Sequence, residues 1–312
     1  MLEIYLPAAG NSVSLLLLLA LGGIVGLLSG LFGVGGGFLL TPLLIMIGIP
    51  PTVAAASDSN QIVAAGASGA FAHSRSGNVD YKMGILLLLG GLIGGTAGVQ
   101  LIKILRALGQ ADVAIRLTYV VMLAVVGSYM FVDSLRGLQA KAPTVLPTRP
   151  VDGVQRGSLY ARLVRVLPWK MDFERSGVRV SALVPIALGS LVGALAAVMG
   201  VGGGFIMVPV MVYLLRMPMH VVVGTSLFQI LFTCINVTVL QATFNHTVDF
   251  VLALALLVGS TSGAQIGAKI SKRLKADQLK IMMAGIIIVV MVIMAVGLVV
   301  RPATLLAYKG GH

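Results

Sequence analysis

Apolar residues fall along this chain in long runs, not in the every-second-residue alternation of half-buried strands. Runs long enough to cross a bilayer, about 20 residues at 1.5 Å each, lie at 13–32, 52–72, 83–102, 113–132, 180–199, 219–243, 250–268 and 280–300. Two further apolar pieces, 38–49 and 205–215, are half a crossing long. The pattern predicts an all-α polytopic membrane protein. Residues Met1 to Asn11 carry Glu3 and no basic side chain, so the positive stretch of a signal peptide is missing and 13–32 reads as a retained first helix.

The middle of the chain breaks the pattern. Nine basic residues between 134 and 179 face Asp152, Asp172 and Glu174, and Pro143, Pro147, Pro150 and Pro168 discourage a long helix. This reads as a basic connector. Its piece from Leu159 to Trp169 could lie on a membrane surface with Trp169 at headgroup depth. The connector separates two copies of one pattern. Gly33-Val34-Gly35-Gly36-Gly37-Phe38 returns as Gly200-Val201-Gly202-Gly203-Gly204-Phe205, an offset of 167, and Pro42 and Pro51 return as Pro209 and Pro218. Val79-Asp80 matches Val248-Asp249, and Gly90, Gly94 and Gly98 match Gly259, Gly263 and Gly267, at an offset of 169. The chain therefore divides into a first transmembrane repeat (1–133), a cytoplasmic connector (134–179) and a second repeat (180–312).

With the short pieces counted as segments, each half has about five. An odd number inserts the halves with opposite orientation, the inverted repeat of secondary transporters, with broken half-helices after the Gly-rich turns. Charge tests the count. With the N-terminus outside, 17 basic residues face inward (Arg75, Lys82, the connector's nine, Arg216 and the cluster from Lys269 to Lys280), against 5 outward, Lys103, Arg106, Arg116, Arg301 and Lys309. Merging each short piece into its neighbour gives parallel repeats and a split of only 13 to 9, so the inverted arrangement fits the positive-inside rule better.

Composition agrees. Hydrophobic residues make up 58% of the chain and charged ones 10%, whereas soluble domains carry about 25% charged residues. A soluble enzyme and a secreted scaffold are excluded on that ground. The net charge of +12 reports topology and contact with anionic lipid instead of nucleic acid. The single Cys234 permits no disulfide framework, and His73, His220, His246 and His312 are scattered. Phe38 stands where a dinucleotide fingerprint needs its last glycine, and no phosphate-binding Gly-x-x-x-x-Gly-Lys occurs. No enzyme chemistry, cofactor or metal is expected.

The glycine turns are the first candidate site. Three glycines in a row cannot stabilise a helix, and irregular backbone at membrane depth survives only where protein or a water-filled cavity satisfies it. A bare turn also lets an anion approach the N–H groups that open the next short helix. Gly35, Gly36 and Gly37 and their copies Gly202, Gly203 and Gly204 are thus candidate anion contacts; close helix packing is the plainer reading. The polar runs that follow are the second candidate: Ser57, Ser59, Asn60 and Gln61 in one half, Thr225, Ser226 and Gln229 in the other. Asp58 is the one acid inside a predicted crossing, with Thr225 at its repeat position. An intramembrane carboxylate is a candidate for proton coupling, the alternative being a structural acceptor. Asp80 and Asp249 each precede an apolar run and read as helix N-caps. Glycines every fourth residue, from Gly90 and from Gly259, read as packing faces, near which Thr96, Gln100, Ser260, Thr261, Ser262 and Gln265 could line a cavity.

The duplicated Gly-Val-Gly-Gly-Gly-Phe with Pro42 or Pro209, the Gly224-Thr225-Ser226 run and the basic central loop resemble the TauE/SafE family of sulfite and organosulfonate exporters, from about Leu15 to Val300. The resemblance implies proton-linked movement of a small sulfur-containing anion (sulfite, sulfoacetate, another sulfonate or thiosulfate) across a bacterial inner membrane. Asp58 then remains the candidate coupling residue, and the turns and polar runs the candidate substrate site, on the reading of the residues above. Ser57-Asp58-Ser59-Asn60-Gln61 departs from the Gly-Thr-Ser-like run of the second copy, against a symmetric site. The expected partners are that anion, protons and membrane lipid, with a homodimer left open. An anion channel and a non-transporting assembly protein remain the alternatives.

Overall fold

The computed structural model describes residues 3–7, 9–139, 169–245, 248–271, 273–274 and 276–300. A short hairpin, β1 (Glu3–Leu6) and β2 (Asn11–Ser14), leads into α1 (Leu15–Phe32). Then follow α2 (Gly37–Met46), α3 (Pro51–Ser74), α4 (Tyr81–Ala107) and α5 (Ala111–Gln139). The second half repeats the order: β3 (Lys170–Phe173), β4 (Val178–Ser181), α6 (Leu183–Met199), α7 (Gly204–Pro209), α8 (Met219–Leu240), α9 (Phe250–Ser271) and α10 (Ala276–Val300). A π-helical turn, Val210–Leu214, continues α7, and another, Gln241–Asn245, ends α8.

Every apolar run is a helix, and both half-length pieces are separate short helices. The hairpins were not predicted, because four-residue strands are too short to show a period. Helix α5 also reaches Gln139, past the boundary placed at residue 133. The rest of the expected surface piece before Trp169 lies outside the described residues.

Glycine decides the closest packing. A methyl group on Gly22, Gly26 or Gly30 of α1 would come within 2.7, 2.3 or 2.1 Å of the carbonyl oxygens of Leu256, Ser260 and Ala264 on α9. On Gly90, Gly94 or Gly98 of α4 it would come within 2.0, 1.8 or 2.5 Å of those of Ile186, Ser190 and Ala194 on α6. These are the predicted glycine faces, and small residues are what allow such contact where lipid offers no hydrophobic drive for association. Residue numbers rise together along both seams, so each pair is parallel. The same holds for α4 with α8, where Gly84, Gly91 and Gly95 meet Phe228, Thr233 and Val237, and for α3 with α9, where Ser57 and Ser68 meet Asp249 and Thr261. Thus α1, α3 and α9 run one way and α4, α6 and α8 the other.

Among the described residues, five helices are long and apolar enough to cross a membrane: Leu15–Phe32, Tyr81–Ala107, Ala111–Val132, Met219–Asn245 and Phe250–Ser271. Helix α3, though 24 residues long, is not one of these, because its Ser, Asp, Asn and Gln side chains lower its hydropathy. It lies wrapped by α1, α2, α5, α8 and α9 and buries Ser57, Asp58, Ser59 and Gln61. The two hairpins cover opposite ends of α3. Asn11 donates to the Gly48 carbonyl (2.9 Å) just before α3 begins, and Arg175 donates to the Val79 carbonyl (3.0 Å) just after it ends.

Candidate functional site

Helices α1 and α6 both end in a left-handed glycine, Gly33 and Gly200 (φ 72° each), whose N–H returns to the carbonyl of Ser29 or Ala196. The short helices α2 and α7 then open from Gly36 (φ 80°) and Gly203 (φ 76°). A side chain at Gly36 would be strained at that φ and would meet Val25 Cγ1 at 2.6 Å. The turns lie back to back. A methyl group on Gly37 would reach Val201 Cα at 2.8 Å, and one on Gly204 would reach the Val34 oxygen at 2.1 Å. Phe38 and Phe205 follow, their ring centroids 6.0 Å apart.

The polar runs brace this crossing reciprocally. Ser59 Oγ donates to the Gly200 carbonyl (3.2 Å) and Ser226 Oγ to the Gly33 carbonyl (2.8 Å), so each half satisfies a helix-end carbonyl of the other. One step along, Ser57 Oγ accepts the N–H of Asp249 (3.1 Å) and Thr225 Oγ1 accepts that of Asp80 (3.0 Å). Asp80 and Asp249 cap their helices as predicted, accepting from Met83 N–H and from Val251 and Leu252 N–H at 3.1 Å. Four of the predicted substrate-contacting hydroxyls are therefore engaged with backbone.

The amides are less committed. Gln229 Nε2 donates to Thr233 Oγ1 (2.8 Å) while its Oε1 has no partner, and Gln61 is fully buried with neither amide atom bonded among the described residues. Asn60 is partly buried.

Asp58 stands apart. It is fully buried, Oδ2 accepts from Thr41 Oγ1 at 2.6 Å, and Oδ1 has no partner among the described residues. Arg179 and Asp172 pair at 3.3 Å on the exposed second hairpin. Oδ2 sits 2.8 Å from where a Gly37 Cβ would be, so the carboxylate lies against the first residue of α2, at the end of that helix which favours negative charge. The acid and the glycine turn, separate features in the sequence, are therefore neighbours.

Three neighbours escaped the sequence reading. Tyr119 on α5 is fully buried, and its hydroxyl donates toward Met199 O (2.9 Å) and Gly37 O (3.4 Å), one on each side of the crossing. Thr41 holds Asp58. Ser29 lies under Gly36, its Oγ buried without a partner among the described residues. The repeat itself carried a signal: at the offset of 167, Ser29, Thr41 and Asp58 face Ala196, Val208 and Thr225. The scaffold of the crossing is duplicated, but its one carboxylate and the Ser29 and Thr41 hydroxyls belong to the first half alone.

The family model described as sulfite exporter TauE/SafE matches residues 18–294. The chain belongs to the TauE/SafE family. Its relatives include the probable membrane transporter protein YunE of Bacillus subtilis (27% identical over 293 residues, covering 89% of this chain and 96% of that protein). Another is the probable membrane transporter protein YjnA of the same organism (28% identical, 89% and 97% covered). A third is a probable membrane transporter protein of Xylella fastidiosa (27% identical, 85% and 88% covered). No solved structure matches. With its apolar spans, membership makes this TauE/SafE chain a multi-pass membrane protein of a transporter family.

Proposed function

We propose that the protein is a secondary transporter that exports a small sulfur oxyanion or organosulfonate, sulfite being the first candidate, and is coupled to the proton gradient at Asp58. The observation that carries this reading is the fully buried Asp58 carboxylate against the opening of α2, with Oδ1 unpartnered among the described residues. An anion seeking the α2 amides must displace or neutralise that charge, and protonation of Asp58 neutralises it. Backbone amides of Gly36 and Gly37 with the free amide of Gln61 bind the anion; Ser57, Ser59, Thr225 and Ser226 hold the surrounding turns.

The halves act as two inverted repeats, a reading supported by the opposite directions of α1 and α3 against α6 and α8. They rock about the crossing, in a bacterial inner membrane with the N-terminus periplasmic and the connector cytoplasmic. The test is purified protein in proteoliposomes, loaded with radiolabelled sulfite and given an imposed pH gradient. The expected result is saturable efflux with counterflow that responds to the gradient. Flux without counterflow would mean a channel, and no movement of sulfite, sulfonate or thiosulfate would overturn the reading.

A further inference from the structure

Ser29 and Thr41 at the crossing have apolar counterparts in the second half, and a third hydroxyl without a counterpart reaches it from α5, that of Tyr119. Its ring is fully buried in the middle of α5, on the stripe of that helix that faces inward. A phenol has one O–H to give, and here two carbonyls compete for it: Met199 O at 2.9 Å, the last residue of α6, and Gly37 O at 3.4 Å, the first residue of α2. Met199 belongs to the second half and Gly37 to the first. The pair Ala111-Asp112 recurs at Ala276-Asp277, an offset of 165, which sets Ala284 opposite Tyr119. The second half therefore returns no hydroxyl, and the bond across the halves is made from one side.

Gly37 has a second neighbour on its other side, the Oδ2 of Asp58. A charged carboxylate there is attracted to the opening of α2 and holds it in place; a neutral one is not. Loss of the charge lets the first turn of α2 move and changes the competition for the phenol hydrogen. We propose that Tyr119 is the positioning residue that converts the protonation of Asp58 into relative movement of the two halves, by passing its single O–H between the Met199 and Gly37 carbonyls. With Asp58 charged the O–H holds Met199 and locks the second half's turn to α5. With Asp58 neutral it moves to Gly37, and the second half is released.

The proposal rests on proton coupling at Asp58 and adds what reads it out. The titratable groups that face Asp58 are Tyr119 itself and Cys234 on α8. Helices α1 and α2 contain none, and α9 brings Asp249 at its cap, whose Oδ1 is held by Val251 and Leu252 N–H.

Two measurements test it. In proteoliposomes with radiolabelled sulfite, Tyr119→Phe keeps the ring's packing and is expected to retain sulfite exchange. It is expected to lose about tenfold or more of the response to an imposed pH gradient, the size of a typical coupling between sites. A merely structural role would lower exchange and thermal stability together and leave the pH response of the remaining flux intact; that outcome overturns the proposal. The second needs neither transport nor a Tyr119 variant. Infrared difference spectra of the purified wild type between acid and alkaline pH should show a shift of a tyrosine C–O band that is absent in Asp58→Asn. A tyrosine band that does not move in the wild type, or moves equally in Asp58→Asn, overturns it. If wild-type protein carries no sulfite but the band behaves as expected, the substrate assignment fails and the Tyr119 inference stands.

Discussion

Under the proposed function, Asp58 is the residue that separates coupled transport from plain exchange. Replacing it with Asn keeps volume and a hydrogen-bond partner for Thr41 while removing the charge at the opening of α2. Asp58→Asn is therefore expected to fold, to retain sulfite exchange across proteoliposomes, and to lose accumulation driven by a pH gradient by about tenfold or more. Its exchange should also lose the pH dependence of the wild type, because the group that senses pH at the crossing is gone. If exchange in Asp58→Asn follows the wild-type pH profile, Asp58 is structural. Gly36→Leu serves as the contrast. Its φ of 80° and the approach to Val25 leave no room for a side chain, so binding and exchange should be lost together.

Among the elements, the α4–α6 and α1–α9 seams hold the two halves to each other. At Gly94 a methyl group would overlap the Ser190 carbonyl oxygen at 1.8 Å, backbone against backbone, with no side chain able to turn aside. Gly94→Ala should therefore force the helices apart and destabilise the protein by about 1–3 kcal/mol or more, read as a lower midpoint of thermal unfolding in detergent. Gly285→Ala on α10 has nothing within 4 Å and should leave the midpoint unchanged or raised. Equal effects at the two positions would refute glycine packing as the cause.

At the scale of the molecule, the hairpins cover opposite ends of α3, and the proposed inverted arrangement puts them on opposite faces of the membrane. Cys234 is buried, so single cysteines can be added to the native background. Ser12→Cys in the first hairpin should react with a membrane-impermeant thiol reagent in intact cells, and Lys170→Cys in the second only after permeabilisation; both residues are exposed. Reaction of both from the same side would remove the inverted arrangement.

Class, duplication and family were legible in the chain, as were the helices found among the described residues, because apolar length and repeated glycine are local properties that survive without neighbours. It located the glycine turns, the Asp80 and Asp249 caps and Asp58 for the same reason: each departs from its own surroundings. The four-residue hairpins were invisible, being too short to show a period. The tertiary structure alone decided which polar groups are occupied. Ser59 and Ser226 look like free ligands in the chain and become braces only once each meets a carbonyl of the other half, 141 and 193 residues away. Tyr119 looks like one more aromatic in an apolar run until α5 delivers its hydroxyl to a crossing built from α2 and α6. Hydrogen-bond partnership between distant segments is a property of packing, and the open Oδ1 of Asp58 among the described residues is visible only once packing has set the polar groups around it.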